Sequence, residues 1–227
     1  MIYPSRLSLG LMAGRGWPPT RPSDRESAMA STTFKPNKAP ASGYDTVSRA
    51  LHWATAFLIL GVLIPLGLWA HWLGGKGPFR AYLLDQWHKP IGLLVILLTL
   101  ARLAWTARRP RVEHAAGLQS WEVTLSRVAH MLLYALMLAM PLSGLLMSEG
   151  AGRPTSFFGL WTLPQFVSLD PALKPHDQPA YQLGAALHQF ILMWSLFVLI
   201  ALHIAGALKH QLVDRTRGYL RRMWGIR

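Results

Sequence analysis

Leu187-His188-Gln189-Phe190-Ile191-Leu192-Met193-Trp194-Ser195-Leu196-Phe197-Val198-Leu199-Ile200-Ala201-Leu202-His203 is a dominantly apolar run with a histidine near each end. The nearest formal charges are Asp177 and Lys209, so the uncharged span is long enough to cross a bilayer as one helix. Its two histidines stand fifteen residues apart. On an α-helix that is a rise of roughly 22 Å and a rotation about 60° from one face. They lie on the same broad side, one near each membrane surface. An imidazole inside a bilayer needs a partner. Two haems at two depths, each iron taking one histidine, would meet that need. Hydrogen bonds to a neighbouring helix would meet it too.

Composition sets the class. The chain has 227 residues, 52% of them hydrophobic, with ten tryptophans and a mean hydropathy of +0.25. Those values point to an integral membrane protein. There is no cysteine, which removes disulfides, iron–sulfur clusters, thiolate zinc sites and covalent haem attachment. Any haem is then b-type, held by side chains alone. The net charge of +13 would suit nucleic acid, but the basic residues lie between apolar spans and report topology instead, so no nucleic-acid partner is expected.

Residues 1–43 are rich in Pro, Ser, Thr, Gly and Arg, with no sustained period. Leu7–Ala13 is too short to span. The segment is expected to be a disordered extension, and Met29, opening Met29-Ala30-Ser31-Thr32-Thr33, is expected to be the true start. Order begins at Tyr44-Asp45-Thr46-Val47-Ser48-Arg49, a capped entry to the first span. The apolar runs predict spans over Ala50–Trp72 (with a kink at Pro65), Trp87–Trp105, Val128–Ser148 and Tyr181–Leu208. The fold class is all-α, an integral membrane four-helix bundle over residues 44–222, with 223–227 as a C-terminal tail. Eighteen of the 23 Lys and Arg residues fall on one side, which places both termini in the cytoplasm.

Topology sorts the histidines by depth. His52, His130, His203 and His210 belong to the inner level, and His71, His88 and His188 to the outer. His114 and His176 fall in loops. His88 with His188 is the evident outer pair. The inner level offers four candidates for two ligand positions, although His203 and His210, seven apart on one face, cannot bind opposite sides of one haem.

Several motifs, in order, resemble the prokaryotic cytochrome b561 family. They are Arg49-Ala50-Leu51-His52-Trp53; Trp87-His88-Lys89-Pro90-Ile91-Gly92 with Ala101-Arg102-Leu103; His130 with Leu133-Tyr134 and Pro141-Leu142-Ser143-Gly144; and Leu202-His203-Ile204-Ala205-Gly206-Ala207-Leu208-Lys209-His210. The resemblance covers about residues 44–222. It implies a bacterial inner-membrane cytochrome with two b haems per chain, His52 with His203 holding the inner iron and His88 with His188 the outer. The spacing from His188 to His203 is one residue longer than the family pattern implies, and a one-residue helical bulge would reconcile the two.

Arg102, deep for a charge, either neutralises a haem propionate or snorkels to the interface. His130, Lys209 and His210 are candidates for a quinone head-group site, with ubiquinone the expected acceptor, or simply bond to loops. Gly92, Gly144, Gly184 and Gly206 admit either a flat macrocycle or close helix packing. Met137, Met140, Met147 and Met193 read as core filling. No Asp or Glu falls inside the apolar runs, which argues against a carboxylate di-iron bundle. No nucleotide-binding glycine pattern occurs. Electron transfer across the bilayer remains, in two versions. One is an oxidoreductase coupling a small anionic donor to quinone. Superoxide leads as that donor because Lys76, Arg80 and Lys89 crowd the outer mouth and the resemblance includes superoxide-oxidising members. The other is a haem-bearing anchor serving a separate dehydrogenase or soluble cytochrome.

Overall fold

The computed structural model describes residues 44–73, 77–109, 119–213 and 221–224. The N-terminal extension, Lys76, His114 and most of the basic tail lie outside the described residues. Among the described residues four helices are long and apolar enough to cross a membrane. These are α1 (Thr46–Trp72), α2 (Pro78–Ala107), α3 (Ser120–Gly150) and α4 (Pro179–Leu212). Each is longer than the apolar run that predicts it, because the run marks only hydrocarbon depth whereas the helix continues to its cap. Pro78 and Pro179 open α2 and α4 at positions where a missing amide costs nothing. Gln119 and Glu122 close a reciprocal capping box on α3. The extensions carry Asp85, Glu122 and Glu149 into the helices, so the expectation of carboxylate-free spans holds only for their middles.

Pairwise contacts tie the ends. The end holding the start of α1 and the finish of α2 is termed inner here, after the charge distribution. Asp45 accepts hydrogen bonds from the Ser48 amide at 3.0 Å and the Ser48 hydroxyl at 2.8 Å, capping α1. It also accepts from Trp105 Nε1 at 3.2 Å, joining α1 to α2. Lys209 and Glu122, 2.6 Å apart, join α4 to α3. A short helix α5 (Arg221–Trp224) returns to α1, where Trp53 Nε1 donates to the Met223 carbonyl and Trp224 packs 4.3 Å from the Trp53 ring.

The middle of the bundle is apolar. Ile59, Val95 and Met137 are buried together, with Leu58, Leu63, Ile64, Tyr134 and Ile200 around them, so all four helices contribute. Helices α3 and α4 approach closely at the outer end, where a Cβ on Gly184 would overlap the Met147 backbone and one on Gly150 the Tyr181 amide. Gly184 thus serves helix packing. Gly92 makes only ordinary contact with Pro141, and Gly206 has open space beside it.

Among the described residues five π turns occur in the helices: Leu58–Leu63, Trp69–Leu73, Leu84–His88, Leu187–Ile191 and Lys209–Val213. The first precedes Pro65 and restarts the α-helix so that the proline falls in its first turn, where the missing amide is least costly. Between α3 and α4 a small hairpin pairs β1 (Ser156–Phe157) with β2 (Trp161–Thr162).

Asp45 is the joint between the first two helices. Burial alone would raise its pKa, but the Ser48 and Trp105 hydrogen bonds outweigh that and hold it below the ordinary carboxylate value of 3.8. A depressed carboxyl contributes stability that is fully present above the unfolded value and lost as pH falls through the folded one. Asp45→Ala is expected to lose about 1 kcal/mol of stability at neutral pH, with the difference from wild type closing below that range. Thermal unfolding in detergent at neutral and acid pH checks both; a difference unchanged on acidification would contradict the electrostatic part.

Candidate functional site

His88 is the last residue of the π turn Leu84–His88, and His188 the second residue of the π turn Leu187–Ile191. Their ring centroids are 6.0 Å apart and nearly perpendicular, at 83°. The second π turn supplies the extra residue that the His188–His203 spacing requires. It makes fifteen residues behave as fourteen, about 40° short of four whole turns rather than about 60° past them. π turns favour functional positions because they rotate one side chain without breaking the helix.

The His188 ring is held from α3. Nδ1–H donates to the Met140 carbonyl at 2.8 Å, with Ser143 Oγ 3.3 Å from the same nitrogen. This bond fixes the tautomer and leaves Nε2 free as a ligand. Gly144 makes the room: a Cβ there would lie 2.7 Å from His188 Cε1. Of the four candidate glycines it alone faces an imidazole so closely.

At the inner level the His52 and His203 centroids are 6.4 Å apart at 59°. His130 lies 5.1 Å from His203 at 90°, and its Nδ1–H donates to the Ser126 carbonyl at 2.6 Å. Arg102 stacks over Tyr134 at 5.3 Å and is close enough to His52 and His203 to act on them electrostatically. Arg49, one turn before His52, has its Nε buried without an acceptor. Neither arginine has an ion-pair partner among the described residues. Lys209 is paired with Glu122, and His210 is near enough to Glu122 to interact with it. His71 packs on Trp72 and Phe190, and His176 on Tyr181.

The pair distances test what could lie between the rings. With metal–imidazole bonds of about 2 Å and a ring radius of about 1.1 Å, two imidazoles across one metal have centroids about 6 Å apart. The 6.0 Å and 6.4 Å pairs match; the 5.1 Å contact of His130 is too short. Nδ1 of His88 and Nδ1 of His52 are buried without a partner; these are not the Nε2 atoms that would face a metal, so the fit rests on the ring distances. Among the described residues no cluster of three or more His, Cys, Asp or Glu is placed to hold a bare ion. Each pair instead offers two imidazoles, which would suit a haem, whose iron would supply one-electron chemistry there. Arg102 and Arg49 suit its carboxylates.

His88 stands beside His188 and His52 beside His203, the pairs that the family resemblance implies, with His130 also against His203. The supports of the site were less visible. The Met140 carbonyl is a backbone group and leaves no signature in the residue type. Ser143 and Gly144 stand in a motif, but only the α3–α4 contact shows that both act on His188. Arg49 reads in sequence as one more topology charge.

The family described as prokaryotic cytochrome b561 matches residues 43–225. Cytochrome b561 homolog 2 of Escherichia coli (strain K12) is 32% identical over 182 residues, covering 80% of this chain and 91% of that protein. Cytochrome b561 homolog 1 of the same organism is 26% identical over 173 residues, covering 76% and 92%.

Gly144→Ala is expected to displace the His188 ring from His88; if each pair holds a haem, retention at the outer pair should fall about 10- to 100-fold while the inner pair keeps its own. Haem content and difference spectra of the purified variant check this. An intact outer haem would contradict the steric role assigned to Gly144.

Proposed function

This chain belongs to the prokaryotic cytochrome b561 family, and on that premise we propose that it carries two b haems and passes electrons across the bilayer from superoxide at the outer face to membrane quinone. The observation that supports this best is the pair of imidazole couples, at 6.0 Å and 6.4 Å, at opposite ends of one apolar bundle. His88 and His188 would hold the outer haem and His52 and His203 the inner. Haem iron supplies one-electron chemistry at a potential tuned by its axial ligands. Met140 and Ser143 orient His188, and Arg102 with Arg49 offsets propionate charge at the inner level. With both termini in the cytoplasm of a bacterial inner membrane, as the charge distribution favours, the outer pair faces the periplasm.

Two superoxide anions yield two dioxygen molecules and two electrons; one quinone takes those electrons and two protons to become quinol. At the inner level His130 and His210 offer the polar groups and proton exchange that a ubiquinone head group needs. Lys209, paired with Glu122, forms part of a charged rim there. At the outer mouth Lys89 is paired with Asp85 at 2.7 Å, while Arg80 donates to the Ala70 carbonyl at 2.7 Å and keeps its charge. Lys76, the third expected cation, lies outside the described residues. A second reading, a haem-bearing anchor for a separate dehydrogenase or soluble cytochrome, gains support from the outer hairpin, whose Leu160 and Trp161 are 78% and 51% exposed.

Two measurements test the proposal. His88→Ala should remove the outer haem or convert it to high spin and leave the inner one; His52→Ala should do the reverse. Loss of the inner haem in His130→Ala, with its retention in His52→Ala, would overturn the inner assignment. Stopped-flow mixing with superoxide should reduce the haems rapidly, with a rate that falls as salt rises. Oxidised haems left unreduced by superoxide would replace the oxidase reading with the anchor reading.

A further inference from the structure

Among the described residues Glu149 alone combines an ionisable side chain with complete burial, and neither of its carboxyl oxygens has a hydrogen-bond partner. It stands in the last turn of α3. The following loop closes over it: Gln165 Nε2 donates to the Glu149 carbonyl at 3.0 Å, and Ser148 Oγ to the Arg153 carbonyl at 2.8 Å. The Phe166 amide acts on the carboxyl in favour of its ionised form without meeting hydrogen-bond geometry. From α2 one charged group acts on it, Lys89, itself held by Asp85. From α4 the Tyr181 backbone packs on the adjacent Gly150. An isolated buried carboxyl is costly, and native proteins keep one where it has work in redox or proton chemistry or holds water or an ion.

The position of Glu149 suggests the work. Gly144, which packs on the His188 ring, is five residues earlier on the same helix, a rise of about 7.5 Å. Lys89, the charge acting on Glu149, directly follows His88. Five residues also turn the helix by about 140°, so Glu149 points away from the face that meets His188, and its link to the outer pair runs through Lys89, next to His88, without a hydrogen bond to either imidazole. A charge change at the outer iron would act on it with less screening than between exposed groups, because the side chain has no exposed surface. Only the Phe166 amide and Lys89 favour the ionised form against burial, so such a change can tip the carboxyl.

We propose that Glu149 is the proton acceptor that offsets the charge of outer-haem reduction. The inference rests on the di-haem reading. When the outer iron passes from ferric to ferrous by taking one electron, one proton from the outer aqueous phase forms an O–H bond on the Glu149 carboxylate. When the electron moves to the inner haem, that O–H bond breaks and the proton returns. The net charge of the outer site is the same before and after.

The test is a redox titration of each haem in the haem-loaded full chain between pH 5 and 9. A couple that takes one proton with one electron changes tenfold in equilibrium constant per pH unit, about 59 mV for one electron. The outer haem of wild type should approach that slope over part of the range, and the inner haem should not. Glu149→Gln should flatten the outer slope and Glu149→Asp should restore it. Reduced-minus-oxidised infrared spectra should show a protonated-carboxyl band in wild type that is lost in the Gln variant. A wild-type outer potential independent of pH overturns the proposal whatever the variants do, as does a slope retained in Glu149→Gln. Absence of an outer haem from wild type would instead overturn the di-haem reading itself.

Discussion

Imidazole nitrogens inside a hydrocarbon layer must be satisfied, and the architecture follows from how that is done. The layer of Ile59, Val95 and Met137 between the two histidine levels is built of apolar side chains, and the buried polar groups of the interior are few, Thr55, Thr99 and Ser143 among them. The rings must therefore face one another across something, or bond to backbone. His188 does both, bonding to the Met140 carbonyl through Nδ1 while its ring faces His88 at 6.0 Å. This arrangement explains why α3 and α4 are the tightest contact in the bundle. Gly184 and Gly150 bring the two helices close enough for Met140 to reach His188, and Gly144 leaves the space that the ring then fills.

Charge is arranged around this interior by the same rule. The helices extend beyond their apolar cores into regions where water or a counter-charge is available, and there the carboxylates appear. Asp45 caps α1, Glu122 pairs with Lys209, and Asp85 pairs with Lys89. Glu149 departs from the rule, being buried and unpaired. The two inner-level arginines depart from it in the opposite sense, as cations whose counter-charge is not provided by the described side chains. Both departures fall beside the histidine pairs, where a charged redox group would make them useful.

Much of this was legible in the sequence. Four apolar runs, the uneven distribution of Lys and Arg, and histidines at two depths predict the bundle and its two levels, because hydrophobic length and depth are properties of the chain itself. The histidine surplus at the inner level was not resolvable that way. His52 and His130 stand at equal depth; the family resemblance implies His52 as the ligand, and the rings of His52 and His130 lie 6.4 Å and 5.1 Å from that of His203. The bulge at His188 was foreshadowed by a spacing one residue too long, and the π turn Leu187–Ile191 occupies the place where it was needed. Helix ends were harder to read, since apolar runs stop at Ser148 while the α3 ladder continues through Glu149 to Gly150. That difference of two residues hides Glu149, the one fully buried carboxyl among the described residues.

The central claim is that two imidazole pairs hold two haems in one chain. Haem-to-protein stoichiometry of the purified full chain, combined with low-temperature EPR of its oxidised form, tests this most directly. Two b haems per chain, both low-spin with bis-histidine signatures, are expected. A single haem, a high-spin ferric signal from either site, or a colourless protein from cells supplied with ample haem would contradict it.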